Sequence, residues 1–254
     1  MLLVTLSAGK AVNHFFGGYG MGLGRYGMYF DPTYILVLIG VVISLAASAK
    51  VRTTFSRYQR EMARCSLTGA QVAERLLHAN GIYDVQIAHV NGNLSDHYDP
   101  SKKVLRLSDS VYNSRSISAV SVAAHEVGHC IQHARGYVPL SLRTSLVPVA
   151  NIGSTLSWVF IIAGLFFSSM YFLVTVGIVL FSLAVLFQIV TLPVEFNASH
   201  RALAELERNG ILASDEIKKG KKVLSAAALT YVAAAAAAIL QLLRLLLLYG
   251  RRRN

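Results

Sequence analysis

Two histidines and a glutamate stand at a spacing that suits metal binding. His125, Glu126 and His129 form the pattern His-Glu-x-x-His inside a predicted helix that runs to about Arg135 and stops at Gly136. Residues four apart lie on one face of a helix, so both imidazoles can reach one ion. The glutamate beside the first histidine is then placed to act as a general base. Zinc is the metal typical of this pattern.

A catalytic zinc site needs three protein ligands, so one more must come from elsewhere. His133 continues the same helical face, but one straight helix rarely wraps three successive turns around an ion. The acids further along the chain are few, and Glu195 stands out because it follows Pro193 at the end of a long apolar segment. We therefore predict Glu195 as the third ligand. The other downstream acids are Glu205, Glu207, Asp215 and Glu216.

The composition indicates that these residues belong to a membrane protein. Hydrophobic residues make up 54% of the 254 positions and charged residues only 15%, whereas soluble domains are about 25% charged. A disordered chain is excluded, and two cysteines are too few for a disulfide-stapled secreted miniprotein. The formal net charge is nevertheless +11. A composition that is both apolar and basic predicts a membrane protein with its positive charges on one side of the bilayer.

Apolar segments long enough to cross a membrane account for much of the chain. The block 152–192 has no charged side chain and is about twice the roughly 20 residues that one spanning helix needs, so it predicts two helices with a turn at Ser168-Ser169. The predicted order is a Gly-rich segment at 1–32, a membrane helix at 33–49, an α+β region at 50–151, a membrane hairpin at 152–192, a helix carrying the third ligand at 193–222, a membrane helix at 223–249 and a basic tail at 250–254.

Basic residues set the expected orientation. Five follow the first membrane segment closely, and two precede it. Because positive charges collect on the cytoplasmic side, the region 50–151 is predicted to face the cytoplasm. Four basic residues lie at each end of the last segment, which either crosses the membrane or lies along it; we expect it to cross. The five are Lys50, Arg52, Arg57, Arg60 and Arg64, and the two are Lys10 and Arg25.

The position of Glu195 agrees with this topology. His129 and Glu195 can share an ion only if the chain between them crosses the membrane an even number of times. The length of the apolar block independently predicts two crossings. The two arguments therefore agree that the three ligands lie on one side of the membrane.

Five stretches spread over most of the chain, from LTGAQVAERLL to ALTYVAAAAAAILQLLRLLLL, resemble the YugP-type family of bacterial membrane zinc peptidases. More distantly, the chain is similar to gluzincin peptidases of the HtpX and CAAX-protease kind, which join an H-E-x-x-H helix to a later E-x-x-x-D helix. Ser199 stands where that aspartate would orient a zinc histidine, and Asn197, Asp109 or a backbone carbonyl could substitute. The stretches are LTGAQVAERLL, LSDHYDPSKKVLRLSDSVY, VAAHEVGHCIQHARGYVPL, VTLPVEFNASHRAL and ALTYVAAAAAAILQLLRLLLL.

The resemblance implies a mainly α membrane protein with about four transmembrane helices and a small α+β gluzincin-like zinc-peptidase domain on the cytoplasmic side. It implies peptide hydrolysis with Zn²⁺ held by His125, His129 and Glu195, and with Glu126 as general base. The strand near Val104 to Leu107 is expected to be the edge strand that pairs with an extended substrate. Candidates for oxyanion or substrate contacts are His200, His97 and His133.

The expected partners are the lipid bilayer and a peptide or membrane-protein substrate. Arg251 to Arg253 are interpreted as an anchor at the membrane surface rather than a nucleic-acid site. Two other functions stay open. An intramembrane site-2 protease also uses H-E-x-x-H, but it takes an aspartate from an Asp-Gly pair in a later membrane helix, and no Asp-Gly occurs here. The third hypothesis is a membrane scaffold with a non-catalytic zinc ion.

Overall fold

The computed structural model describes residues 31–167, 170 and 172–253. Apart from Asp31 and Pro32, the predicted Gly-rich segment lies outside these residues, and so does the predicted turn at Ser168-Ser169. The described elements are α1 (Tyr34–Gln59), α2 (Gly69–Ala79), β1 (Gln86–Val90), β2 (His97–Asp99), β3 (Val104–Ser108), α3 (Asp109–Tyr112), α4 (Ile117–Ala134), α5 (Val138–Phe166), α6 (Phe172–Arg208) and α7 (Ser214–Arg253).

The chain divides into two compact units. The described residues of the first unit are Ser56–Ile131 and His200–Lys221, which include the sheet. The second unit comprises Asp31–Phe55, Gln132–Ser199 and residues 222–253, which are helical almost throughout. We call them the sheet unit and the helical unit. The division falls inside α4 and α6, so each of these helices contributes residues to both units.

The sheet unit contains three strands in the order β1-β3-β2. β1 pairs in parallel with β3, and β2 pairs antiparallel with it as a hairpin. Leu105 and Leu107 of β3 are fully buried, as are Val72 and Leu76 on one face of α2. The expectation that β3 is an edge strand is therefore wrong. A strand whose apolar residues are buried takes the centre of a sheet, and the two edges here are β1 and β2.

The start and end of α2 follow from its flanking residues. The hydroxyl of Thr68 accepts a hydrogen bond from the amide of Gln71, and the side chain of Gln71 accepts one from the amide of Thr68. This reciprocal pair is a capping box, which satisfies amides that have no partner within the helix. Gly81 follows the end with φ of +71°, a conformation that glycine adopts without strain. The capping box and Gly81 therefore mark the two ends of α2.

Among the described residues, four helices are long and apolar enough to cross a membrane: Tyr34–Gln59, Val138–Phe166, Phe172–Arg208 and Ser214–Gly250. Their bounds correct those taken from hydropathy. α1 continues beyond Lys50, and α6 continues through Pro193. The predicted single helix at 193–222 is divided, because α6 ends at Arg208 and α7 begins at Ser214. Apolar composition marks the part of a helix that lipid surrounds, whereas backbone hydrogen bonding carries the helix on into polar sequence.

Glycines allow close contacts within the helical unit. A Cβ atom on Gly177 would lie 2.7 Å from the carbonyl oxygen of Ser157, and one on Gly164 would lie 2.8 Å from the amide nitrogen of Val174. Small residues let helix backbones approach closely, which is how helices associate in lipid. The hairpin of α5 and α6 is therefore packed through its glycines.

The start of α1 and the last third of α7 meet in the helical unit. The guanidinium of Arg244 lies 4.0 Å from the centre of the Tyr34 ring and 3.9 Å from a carboxylate oxygen of Asp31. Asp31 also caps α1 by accepting hydrogen bonds from the amide and hydroxyl of Thr33. α1 and α7 therefore run in opposite directions at this contact.

Candidate metal centre

The helix that carries the histidines has a defined beginning and end. The hydroxyl of Ser116 accepts a hydrogen bond from the amide of Ala119, which caps the first turn of α4. After the last turn, Gly136 adopts φ of +60°, and the amide of Tyr137 donates to the carbonyl of Gln132 at 2.9 Å. These bonds close the helix as the glycine predicted. α4 is therefore a short helix fixed at both ends.

His125 and His129 face each other on successive turns of α4. Their ring centres are 4.8 Å apart, and their planes make an angle of 86°. Both side chains thus occupy one face of the helix, as the spacing of four residues requires. His125 is half-buried and His129 is 3% exposed. The pair is shielded from most of the solvent.

Glu195 of α6 joins these two histidines. Each of the three residues offers one ligand atom, and the three atoms lie within 4.8 Å of one another. Glu195 is 1% exposed. Two imidazole nitrogens and one carboxylate oxygen are a donor set that suits zinc and leaves a coordination position open. The residues that the sequence singled out as ligands therefore fit the metal that their chemistry predicts.

A buried glutamine connects α4 with the turn of α6 that contains Glu195. The side-chain nitrogen of Gln132 donates to the carbonyl of Val194 at 2.8 Å and to the side-chain oxygen of Asn197 at 3.0 Å. Gln132 is itself fully buried. Asn197, a candidate for the role of the usual aspartate, thus contacts this glutamine. Gln132 is not among the residues predicted from the sequence, although an amide three residues after His129 in an apolar helix was a signal.

Glu126 lies in a buried region that contains a second carboxyl group. Glu126 is 4% exposed, and its Oε2 has no hydrogen-bond partner among the described residues. Asp96 is also buried and accepts hydrogen bonds from the amide and hydroxyl of Ser108 at 2.7 and 2.9 Å. Burial raises the pKa of Asp96 to about 6; the Ser108 amide opposes this rise, and the negative charge of Glu126 adds to it.

The remaining candidates lie outside the three-residue cluster. His97 uses both ring nitrogens, one with the carbonyl of Ser95 at 2.8 Å and the other with the guanidinium of Arg106 at 3.3 Å. His133 and His200 are exposed. Asp109 contacts His89 and the amide of Gly92, and the Gly92 amide, followed by the His89 ring, lowers the pKa of its carboxyl group.

The other acids near Glu195 in sequence have partners of their own or are exposed. Glu205 accepts from Asn80, Arg208 and Asn209. Glu216 accepts from the amides of Arg64 and Ala213, and Asp215 pairs with Arg64. Glu207 is exposed. Among the downstream acids that the structure describes, Glu195 alone joins His125 and His129 in a cluster suited to a metal.

The fold and these residues define a class of protein: membrane helices combined with a His-His-Glu centre suited to zinc. Residues 33–250 match a protein family described as "Putative neutral zinc metallopeptidase". The chain belongs to this family. The curated protein "Putative membrane protease YugP" of Bacillus subtilis (strain 168) is 47% identical over 197 residues, which are 78% of this chain and 87% of that protein. No solved structure matches the chain significantly. The resemblance to the YugP-type family is confirmed.

Proposed function

We propose that this chain is a membrane-anchored zinc metalloendopeptidase. His125, His129 and Glu195 hold the metal, and Glu126 is the general base. The observation that carries the proposal is the convergence of the three ligand atoms within 4.8 Å of one another. Membership in the zinc metallopeptidase family supports it independently. Glu195 as third ligand also favours this class over the site-2 type, which takes an aspartate from an Asp-Gly pair.

The chemistry divides between the metal and the chain. When bound at this centre, zinc polarises the carbonyl of the scissile peptide and makes water a stronger acid. Glu126 accepts a proton from the attacking water and delivers it to the leaving amine. The burial of Glu126 keeps bulk water from its carboxylate, which strengthens its electrostatic effect on charges that develop nearby.

The substrate is an extended peptide that pairs with β2. This strand is one edge of the sheet, and the carboxylate of Asp96, at its beginning, interacts electrostatically with Glu126. An edge strand offers backbone groups to an extended partner. The pairing role that the sequence assigned to β3 thus passes to its antiparallel neighbour β2.

The site faces the cytoplasm in this proposal. Positive charges follow α1, and the contact of Arg244 with Asp31 supports the view that α7 returns to the side on which α1 begins. To test this, single cysteines are introduced as Tyr83→Cys and after Asn254 in a chain without Cys65 and Cys130. An impermeant maleimide should label only the C-terminal cysteine in intact cells. Labelling of the Tyr83→Cys variant in intact cells contradicts the orientation.

The catalytic role is tested with Glu126→Gln. The variant should retain zinc at the wild-type ratio, measured by elemental analysis of the purified full-length protein. Cleavage of fluorescein-labelled casein and of a quenched peptide library should fall by about 10²–10⁴-fold. Equal cleavage by variant and wild type contradicts the role of Glu126. Bound zinc in a wild-type protein that cleaves neither probe favours the non-catalytic scaffold.

The ligand set is tested with Glu195→Ala, which should lose most of its zinc because two histidines alone bind the metal weakly. Glu207→Ala is the matched control, since Glu207 is an exposed glutamate of the same helix. The control should keep its zinc. Undiminished zinc in Glu195→Ala removes Glu195 from the ligand set.

A further inference from the structure

Gln132 has a role that neither helix formation nor apolar packing explains. It is fully buried in α4, one turn after His129. Burying an amide without partners costs several kcal/mol, roughly 2–7 depending on the reference state, whereas an apolar residue at this position would cost nothing. The chain nevertheless has a glutamine here, and both of its described hydrogen bonds go to α6.

The two acceptors lie on either side of Glu195 in sequence. Val194 precedes it and accepts through its backbone carbonyl, while Asn197 follows it and accepts through its side chain. One amide group therefore holds the single turn of α6 that carries the third ligand. The donor is on the same helix as the two histidines.

That turn needs external support because of its sequence. Pro193 has no amide hydrogen and cannot donate to the carbonyl of residue 189, so α6 lacks one backbone hydrogen bond just before Glu195. A helix that loses such a bond can bend at that point. The bond from Gln132 to the carbonyl of Val194 is made immediately after this gap.

We propose that Gln132 is the positioning residue of the metal centre. It fixes the turn of α6 around Glu195 relative to the histidines of α4, and so holds the third ligand at a distance suited to the ion. Ligand geometry must be held within about 0.5 Å for tight metal binding. In this chain a glutamine on the histidine helix supports the glutamate, whereas the E-x-x-x-D pattern supports a histidine from the glutamate helix. The inference rests on the proposed ligand set but not on peptidase activity.

The test is Gln132→Met, which keeps the side-chain length and removes the donor. Zinc affinity of the purified full-length protein is measured by competition with a chromophoric chelator, and the Co²⁺-substituted protein is examined by visible absorption. We expect the zinc dissociation constant to rise about 10–100-fold, as for other residues that orient metal ligands. The Co²⁺ bands should change in position or intensity, since they report the coordination geometry. Loss of packing alone would leave this spectrum unchanged.

Gln241→Met is the matched control, because Gln241 is another glutamine with a buried side-chain nitrogen, located in α7. It should leave both the zinc affinity and the Co²⁺ spectrum at wild-type values. If Gln132→Met does not fold, Asn197→Ala removes only one of the two acceptors and should weaken zinc binding several-fold. Asn197→Asp keeps an acceptor oxygen and should restore the affinity.

The outcomes separate this inference from the proposed function. Glu195→Ala with undiminished zinc overturns the ligand set itself. If Glu195→Ala loses zinc while Gln132→Met, or Asn197→Ala in its place, binds zinc within twofold of wild type, the metal centre stands and the role of Gln132 is overturned.

Discussion

The sheet unit and the helical unit are held together by different residues: buried carboxylates in the first and buried glycines in the second. In the sheet unit, Glu205 and Glu216 are buried, and each accepts one hydrogen bond from a distant part of the chain, from Asn80 and Arg64 respectively, besides bonds from residues nearby in sequence. In the helical unit, Gly164 and Gly177 bring backbones into contact. Hydrogen-bonded carboxylates therefore link segments of the sheet unit, whereas glycines allow helices of the helical unit to pack closely.

The difference follows from the surroundings of each unit. In water, apolar burial drives folding, and buried polar groups must then find partners. In lipid there is no such drive between apolar helices, so close packing and van der Waals contact hold them together. A substitution should therefore be most harmful in the helical unit when it adds volume, and in the sheet unit when it removes a polar group.

The largest effect is expected from Gly177→Leu in the helical unit. A Cβ there would lie 2.5 Å from a side-chain carbon of Ile161 and 2.7 Å from the carbonyl of Ser157, so α5 and α6 must separate. We expect a loss of about 3 kcal/mol, at the upper end for overpacking, measured as the midpoint of thermal unfolding in detergent. Gly250→Leu is the control, because nothing lies within 4 Å of that position. A Gly177→Leu protein as stable as the wild type would contradict the contrast between the units.

The corresponding change in the sheet unit is Glu205→Ala. It leaves the side-chain amides of Asn80 and Asn209 and the guanidinium of Arg208 without their shared acceptor. Orphaned buried donors cost about 1–3 kcal/mol in total stability, and we expect a value near 2. Glu207→Ala removes an exposed glutamate two residues away and should change little. Equal effects of the two variants would show that the buried acceptor contributes nothing.

The three residues of the proposed metal centre could be predicted from the sequence, for reasons that differ from residue to residue. His125 and His129 are related by helical periodicity alone, which is a local rule. Glu195 lies on a different helix, so local periodicity could not relate it to the histidines. Its prediction also required an even number of membrane crossings between His129 and Glu195. Gln132 was missed because its partners, Val194 and Asn197, lie on another helix, although its position in an apolar helix was a local signal.

The sheet was less predictable than the helices. A strand near Val104 to Leu107 was expected, and β3 is found there. β2 consists of His97, Tyr98 and Asp99, which have no apolar alternation, so its pairing with β3 could not be deduced. The order β1-β3-β2 depends on contacts between strands that local patterns do not encode. Pro193 was expected to mark a helix boundary, yet α6 continues through it to Arg208.

A pH-dependent effect is expected at Asp96. Its pKa is raised from 3.8 to about 6 in the folded protein, so the folded state holds the proton more tightly than the unfolded chain. The resulting stability is complete below about pH 4 and is lost as the pH rises through 6. Asp96→Asn should flatten this part of the profile. Unfolding midpoints are compared between pH 4 and 8 in zinc-free protein; parallel profiles would contradict the buried-acid interpretation.

The smallest effect is expected where the sheet unit has charges at its surface. Arg64 and Asp215 form two hydrogen bonds at 3.0 and 2.8 Å, but their side chains are 68% and 51% exposed. Water and salt screen such pairs, so Arg64→Ala should shift the unfolding midpoint by no more than about 3 °C, and less at high salt. A larger shift of the unfolding midpoint that does not depend on salt would contradict the view that exposed polar contacts stabilise the protein less than buried ones.

The placement of the ligands on α4 and α6 has a consequence for how the protein is made. His125 and His129 leave the ribosome first, and Glu195 follows about 70 positions later, after the whole apolar hairpin. At roughly 5–20 residues per second the delay is about 3–14 s. During that interval the nascent chain offers only a two-histidine fragment of the centre. The proposed three-residue centre therefore cannot form until the hairpin of α5 and α6 has been synthesised.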